Sequence, residues 1–164
     1  FHGEKIPTLA EVFESVGGKL FINVELTNYG SSDDALVEKV AQVVADQKMQ
    51  TRVLFSSFLP KNLVLARKLL PEVPVALLCL PGLGGTFSRS FIYHKISPKI
   101  IHPFVNDMHP AYVKRQHEKG RRVHVWTVNT DDDLKRMFAL GVDGVFTDDP
   151  GKAYSLLHRD YAMT

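Results

Sequence analysis

Six times along this chain a short β-rich run gives way to a longer stretch of helical or irregular character, and that alternation restricts the fold more than any other feature. The β-rich runs are residues 20–27, 52–58, 74–80, 100–105, 123–128 and 144–148. Strands alternating with helices of roughly 10–15 residues imply a parallel sheet with helices outside it. Thr8 and Glu11 have the spacing of a capping box and open a helix running towards Gly17 and Gly18. Ser32, backed by Asp33 and Asp34, is placed to cap a second helix with Leu36, Val40, Val43, Val44 and Gln47 on one face. Residues 60–70 form a third, carrying Leu63, Ala66 and Leu70, and residues 109–119 a further one closed by Gly120. Thr130 starts a helix that Gly141 ends, and Pro150 starts the last. No linker or low-complexity tract interrupts the pattern, so residues 1–164 read as a single domain.

Charge and cysteine content exclude several classes. A net charge of +2 is too small for a dedicated nucleic-acid binder, and Lys119, Arg121 and Arg122 read as a solvated turn. The one cysteine, Cys79, rules out a disulfide scaffold or a multi-cysteine zinc site and reads as an inert buried thiol. A lone thiol suits a cytoplasmic location by default. No apolar run reaches the roughly 18 residues of a membrane span, so no transmembrane segment is expected. His94, His102, His109, His117 and His124 contain no H-E-x-x-H pairing. His102, before Pro103, either approaches the sheet's C-terminal mouth or packs as a core histidine, and His124 packs near its strand's start. Asp148 either orients a site or caps the helix that follows.

Residues 20–27 discriminate between an open doubly wound sheet and a closed barrel. Leu20, Ile22, Val24 and Leu26 share one face, and Phe21, Asn23, Glu25 and Thr27 the other. The second face turns polar towards its C-terminal end. A barrel carries its active site at that end of its strands, so a carboxylate there is what a barrel would show. The plain alternative for Glu25 is an exposed or salt-bridged residue on an edge strand, and the apolar character of the rest of the strand argues against an edge. The open sheet would need a G-x-G-x-x-G turn after a strand. Gly82-Leu83-Gly84-Gly85 lacks that spacing and reads as a loop.

Four motifs then carry a resemblance: Ile6-Pro7-Thr8-Leu9, Ile22-Asn23-Val24-Glu25-Leu26, Trp126-Thr127-Val128-Asn129, and Gly141-Val142-Asp143-Gly144-Val145-Phe146-Thr147-Asp148-Asp149-Pro150. In this order they resemble the glycerophosphodiester phosphodiesterase family, from about Gly3 to Pro150. The resemblance implies a TIM-type (β/α)₈ barrel that hydrolyses small-molecule glycerophosphodiesters to an alcohol and glycerol 3-phosphate with a divalent cation, Mg²⁺ or Ca²⁺. It implies a metal-binding role for Glu25 on the third barrel strand, a substrate-pocket wall at Trp126 on the seventh, and a place for Phe58 at the mouth of the fourth. Many family members carry lysine where this chain has Thr27, whose hydroxyl still donates one hydrogen bond to a phosphate.

The family's first two strands, with His-Arg-Gly, Glu-x-Asp and a following His-Asp, have no counterpart here. A barrel of this kind needs about 250 residues. The expectation is therefore strands three to eight, with the first two missing and the catalytic histidine pair upstream of Phe1. Such a chain would leave sheet edges open, to be covered by a missing N-terminal segment or by self-association. The rival expectation is a non-catalytic barrel, a pseudo-enzyme or phosphate-binding module, with the related sphingomyelinase D barrel as a weaker third.

Overall fold

The computed structural model describes residues 3, 5–31, 34–88 and 94–161. It divides into two compact units, Phe1–Ala76 and Leu77–Thr164. Each is built of strand-then-helix repeats.

In the first unit, α1 (Leu9–Val16) begins on the expected capping box. Glu11 N–H donates to the Thr8 hydroxyl at 3.3 Å, and Thr8 N–H donates to the Glu11 carboxylate at 2.7 Å. β1 (Ile22–Glu25) runs parallel to β2 (Val53–Ser57), with Ile22 opposite Val53 and Glu25 opposite Ser56. The two faces of β1 alternate as the sequence predicts: Ile22 and Val24 are half-buried, Asn23 and Glu25 exposed. Phe55 N–H donates to Pro74 O at 3.0 Å and leads into β3 (Val75–Leu78), where the second unit begins. α3 (Pro60–Leu69) buries Leu63 and Ala66 as expected.

Among the described residues β1 pairs with β2 alone. One expectation in this unit is corrected in part. α2 (Leu36–Asp46) buries Val44 of the expected face together with Val37 and Ala41, while Leu36, Val40 and Val43 are half-buried and Gln47 is exposed. The chain enters through Ala35 in a left-handed conformation, and Asp34 Oδ1 takes the Leu36 N–H at 3.0 Å. Ser32 and Asp33, the expected cap, lie outside the described residues.

The second unit contains α4 (Gly82–Ser88), β4 (Ile100–His102), a 3₁₀ turn (Val105–Asp107), α5 (Pro110–Glu118), β5 (Arg122–Val125), α6 (Asp131–Ala139), β6 (Gly144–Val145) and α7 (Pro150–Tyr161). β4 pairs with β5 and β5 with β6, both in parallel. Ile101, Val123, Val125, Leu134 and Met137 form the centre of its core. Thr130 caps α6 as read, accepting from Asp133 N–H at 3.1 Å.

Three readings change here. Gly82-Leu83-Gly84-Gly85 is helical, not a loop, because a distant carboxylate fixes its start: Gly82 N–H points at both Asp107 oxygens, 3.1 and 3.2 Å away. The 100–105 strand stops at His102, since Pro103 has no N–H to continue the ladder. The turn at Lys119–Arg122 is not wholly solvated. Gly120, at φ 70°, donates to His117 O, and Arg121 N–H donates to Gln116 O, the paired bonds of a Schellman motif. That turn folds Arg121 inward to 3% exposure, with Nη1 donating to Gln116 Oε1 at 3.0 Å.

Candidate functional site

Glu25 is the last residue of β1 and exposed, on the face the alternation assigns to it. Its carboxylate is not loose. The hydroxyl of Tyr29, from the turn beyond the strand, donates to Glu25 Oε1 at 3.1 Å. The Tyr29 ring meets the Phe58 ring edge-on, with centroids 6.1 Å apart at 66°. Partial burial of the phenol, the negative charge of Glu25 and the hydrogen bond to it push the Tyr29 pKa up to about 12, so the hydroxyl remains a donor across the working pH range.

Of the residues singled out from the sequence, Glu25 and Phe58 are thus joined through Tyr29. Thr27 is exposed, two residues past the end of β1. Ser56 faces Glu25 in the register, and its buried hydroxyl has no hydrogen-bond partner among the described residues. Beneath the cluster, Asn62 Nδ2 donates to Asn28 Oδ1 at 2.8 Å and to Leu26 O and Ser57 Oγ at 3.3 Å, tying the ends of β1 and β2 to α3. Tyr29 was not legible as a site residue: it lies in a turn, where periodicity gives no orientation.

In the second unit Trp126 follows β5 and is half-buried. Its indole N–H donates to His102 O at 2.9 Å, and its ring packs at 5.0 Å on Phe104. The main chain is fixed as well: Trp126 N–H donates to Pro103 O and Val105 N–H to Trp126 O. Asn129, closing the same motif, donates through Nδ2 to Asp148 Oδ2 at 2.6 Å and accepts from Asp148 N–H and the Thr147 hydroxyl. The two readings of Asp148 separate on this geometry. Asp148 holds Asn129, while the neighbouring Asp149 caps α7 by accepting Lys152 N–H at 2.9 Å.

The histidines divide by environment. His102 is 0% exposed, and neither ring nitrogen has a hydrogen-bond partner among the described residues. Burial, followed by the proximity of His124, pushes its pKa down to about 3. It is a core histidine, stacked near His124 and Phe146. His109 caps α5, and His117 pairs with Asp143 at 2.8 Å. Cys79 is buried as expected. Among the described residues no three His, Cys, Asp or Glu side chains come together in a way that would hold a metal ion.

Comparison with known proteins identifies the family of the chain. The profile of the glycerophosphoryl diester phosphodiesterase family matches residues 1–152. The chain is 32% identical over 160 residues to a glycerophosphodiester phosphodiesterase of Caldanaerobacter subterraneus, covering 97% of this chain and 65% of the relative. It is 33% identical to one of Bacillus altitudinis, covering 92% of this chain and 62% of that protein. In fold it is similar to a glycerophosphodiester phosphodiesterase from Parabacteroides distasonis, with TM-score 0.80, 22% identity, and coverage of 97% of this chain and 67% of that one. It is also similar to an Oleispira antarctica phosphodiesterase solved with the product sn-glycerol-3-phosphate, with TM-score 0.76, 24% identity, and coverage of 93% and 61%. The chain therefore spans less than two thirds of the length of these curated relatives.

Proposed function

Because this chain belongs to the glycerophosphoryl diester phosphodiesterase family, we propose that the full-length protein hydrolyses glycerophosphodiesters to an alcohol and glycerol 3-phosphate. We read residues 1–164 as strands three to eight of a TIM-type barrel, with the first two strands supplied by sequence outside them. The position of Glu25 carries the proposal: a carboxylate held by a neighbouring hydroxyl at the C-terminal end of a parallel strand, where barrels of this type build their sites.

A divalent cation such as Mg²⁺ or Ca²⁺ takes about six or more oxygen ligands. The described residues offer Glu25 and no cluster of three ligands, so they do not by themselves fit such an ion. Glu25 is proposed as one donor in a set that other residues of the full-length protein complete.

Hydrolysis itself requires a water oxygen to form a bond to phosphorus while the ester oxygen of the departing alcohol leaves. One group takes the proton from water and another gives one to the leaving oxygen. A histidine pair outside these residues is assigned that work. Within the chain, the Thr27 hydroxyl donates to a phosphoryl oxygen. Phe58 and Trp126 offer aromatic faces to the carbons of the glycerol moiety. The substrate is a small anion, and no nucleic acid is involved. No helix among the described residues is long and apolar enough to cross a membrane, and the buried lone thiol supports a cytoplasmic location. The open edge of β1 is assigned to an N-terminal segment or to a second copy.

The test is release of glycerol 3-phosphate from glycerophosphocholine by the full-length protein in Mg²⁺ or Ca²⁺, with and without Glu25→Gln. Abolished release in the variant is expected. Unchanged turnover removes the role of Glu25. A wild-type protein that binds the substrate but releases nothing replaces the enzyme with the phosphate-binding module.

A further inference from the structure

We propose that Tyr29 is the positioning residue for Glu25, its hydroxyl holding the carboxylate at the end of β1 in the orientation the reaction uses. This rests on the role proposed for Glu25.

A glutamate on an exposed strand end has three rotatable bonds and, unrestrained, samples several staggered rotamers. Tyr29 restrains it. Its hydroxyl is 3.1 Å from Glu25 Oε1, and it is the one side chain hydrogen-bonded to Glu25 among the described residues. A phenol accepts as well as donates. The carboxylate oxygen is the acceptor of this pair, so the phenol O–H points at it. The ring is fixed edge-on against Phe58. Tyr29 nonetheless keeps 54% of its surface exposed, so burial of apolar area is not what seats it. The geometry makes sense as a strut: a stiff side chain of two torsions, anchored at its base on a turn and along its ring on Phe58, with its hydroxyl bonded to one oxygen of Glu25. The second oxygen, Oε2, is left for the reacting groups.

The experiment compares kcat and KM for glycerophosphocholine in the full-length protein carrying Tyr29→Phe, Glu25→Asp, or both. Tyr29→Phe keeps the ring against Phe58 and deletes only the hydroxyl. A misplacement of about 1 Å at a reacting group is enough to lower the rate substantially, so kcat is expected to fall about tenfold. KM should stay within about twofold and the melting temperature should not move. Glu25→Asp shortens the carboxylate beyond the reach of the hydroxyl, so adding Tyr29→Phe should then change nothing further. Wild-type kcat in Tyr29→Phe overturns the inference and assigns Tyr29 to packing, as does an equal loss on both backgrounds. A Glu25→Gln protein with full activity overturns the function proposed above, and the two failures are separable because Tyr29→Phe is measured independently.

Discussion

The indole N–H of Trp126 and the main-chain oxygen of His102 lie 2.9 Å apart, so a half-exposed aromatic of one strand is held by the backbone of a residue whose own ring is sealed from solvent. This bond gives Trp126 a measurable signature. Trp126→Phe keeps an aromatic face and removes the donor, and should lower stability by about 1 kcal/mol in urea unfolding. If Trp126 walls the substrate site as proposed, Trp126→Ala should in addition raise KM for a glycerophosphodiester about tenfold, with kcat little changed. Equal KM values would overturn that proposed role.

The ring of His102 predicts an acid-sensitive fold. It titrates near 3 in the folded chain against 6.5 for an ordinary histidine, so between those values the unfolded chain binds a proton that the native chain refuses. Stability is therefore complete above about pH 6.5 and is lost as pH falls, by at most about 1.4 kcal/mol per pH unit from this group. His102→Phe, of similar volume and without the buried nitrogens, should flatten that acid limb. Parallel loss of stability between pH 7 and pH 5 in both proteins would assign the limb to other groups.

Asn62 is 3% exposed and donates to three oxygens from the ends of β1, β2 and the turn after β1. Asn62→Leu should destabilise the protein by about 2–3 kcal/mol, since it leaves buried acceptors without their donor. Urea midpoints measure this, and a loss below about 0.5 kcal/mol would mean that water takes over the bonds.

Thr27→Lys places a cation two residues past Glu25. KM for the anionic substrate should fall severalfold at low ionic strength, with the gain shrinking as salt is raised. A salt-independent change would point to packing instead of charge.

Much of this was readable in the chain. The capping box of Thr8 and Glu11 is a local pattern, and it folds as read. The alternation puts Asn23 and Glu25 on one face and Ile22 and Val24 on the other because a strand's period of two is geometric, though the strand is shorter than residues 20–27 and Thr27 lies past its end. What escaped depends on residues distant in sequence. Gly82 begins a helix because Asp107, twenty-five residues on, accepts its N–H. Arg121 turns inward on a left-handed Gly120 that was legible as a helix stop but not as a redirection of the next side chain.

The ring of Tyr29 leans on Phe58 while its hydroxyl serves Glu25, two jobs at opposite ends of one side chain. A replacement of residue 58 that spares the phenol can therefore reshape the aromatic contact and leave the bond to the carboxylate in place.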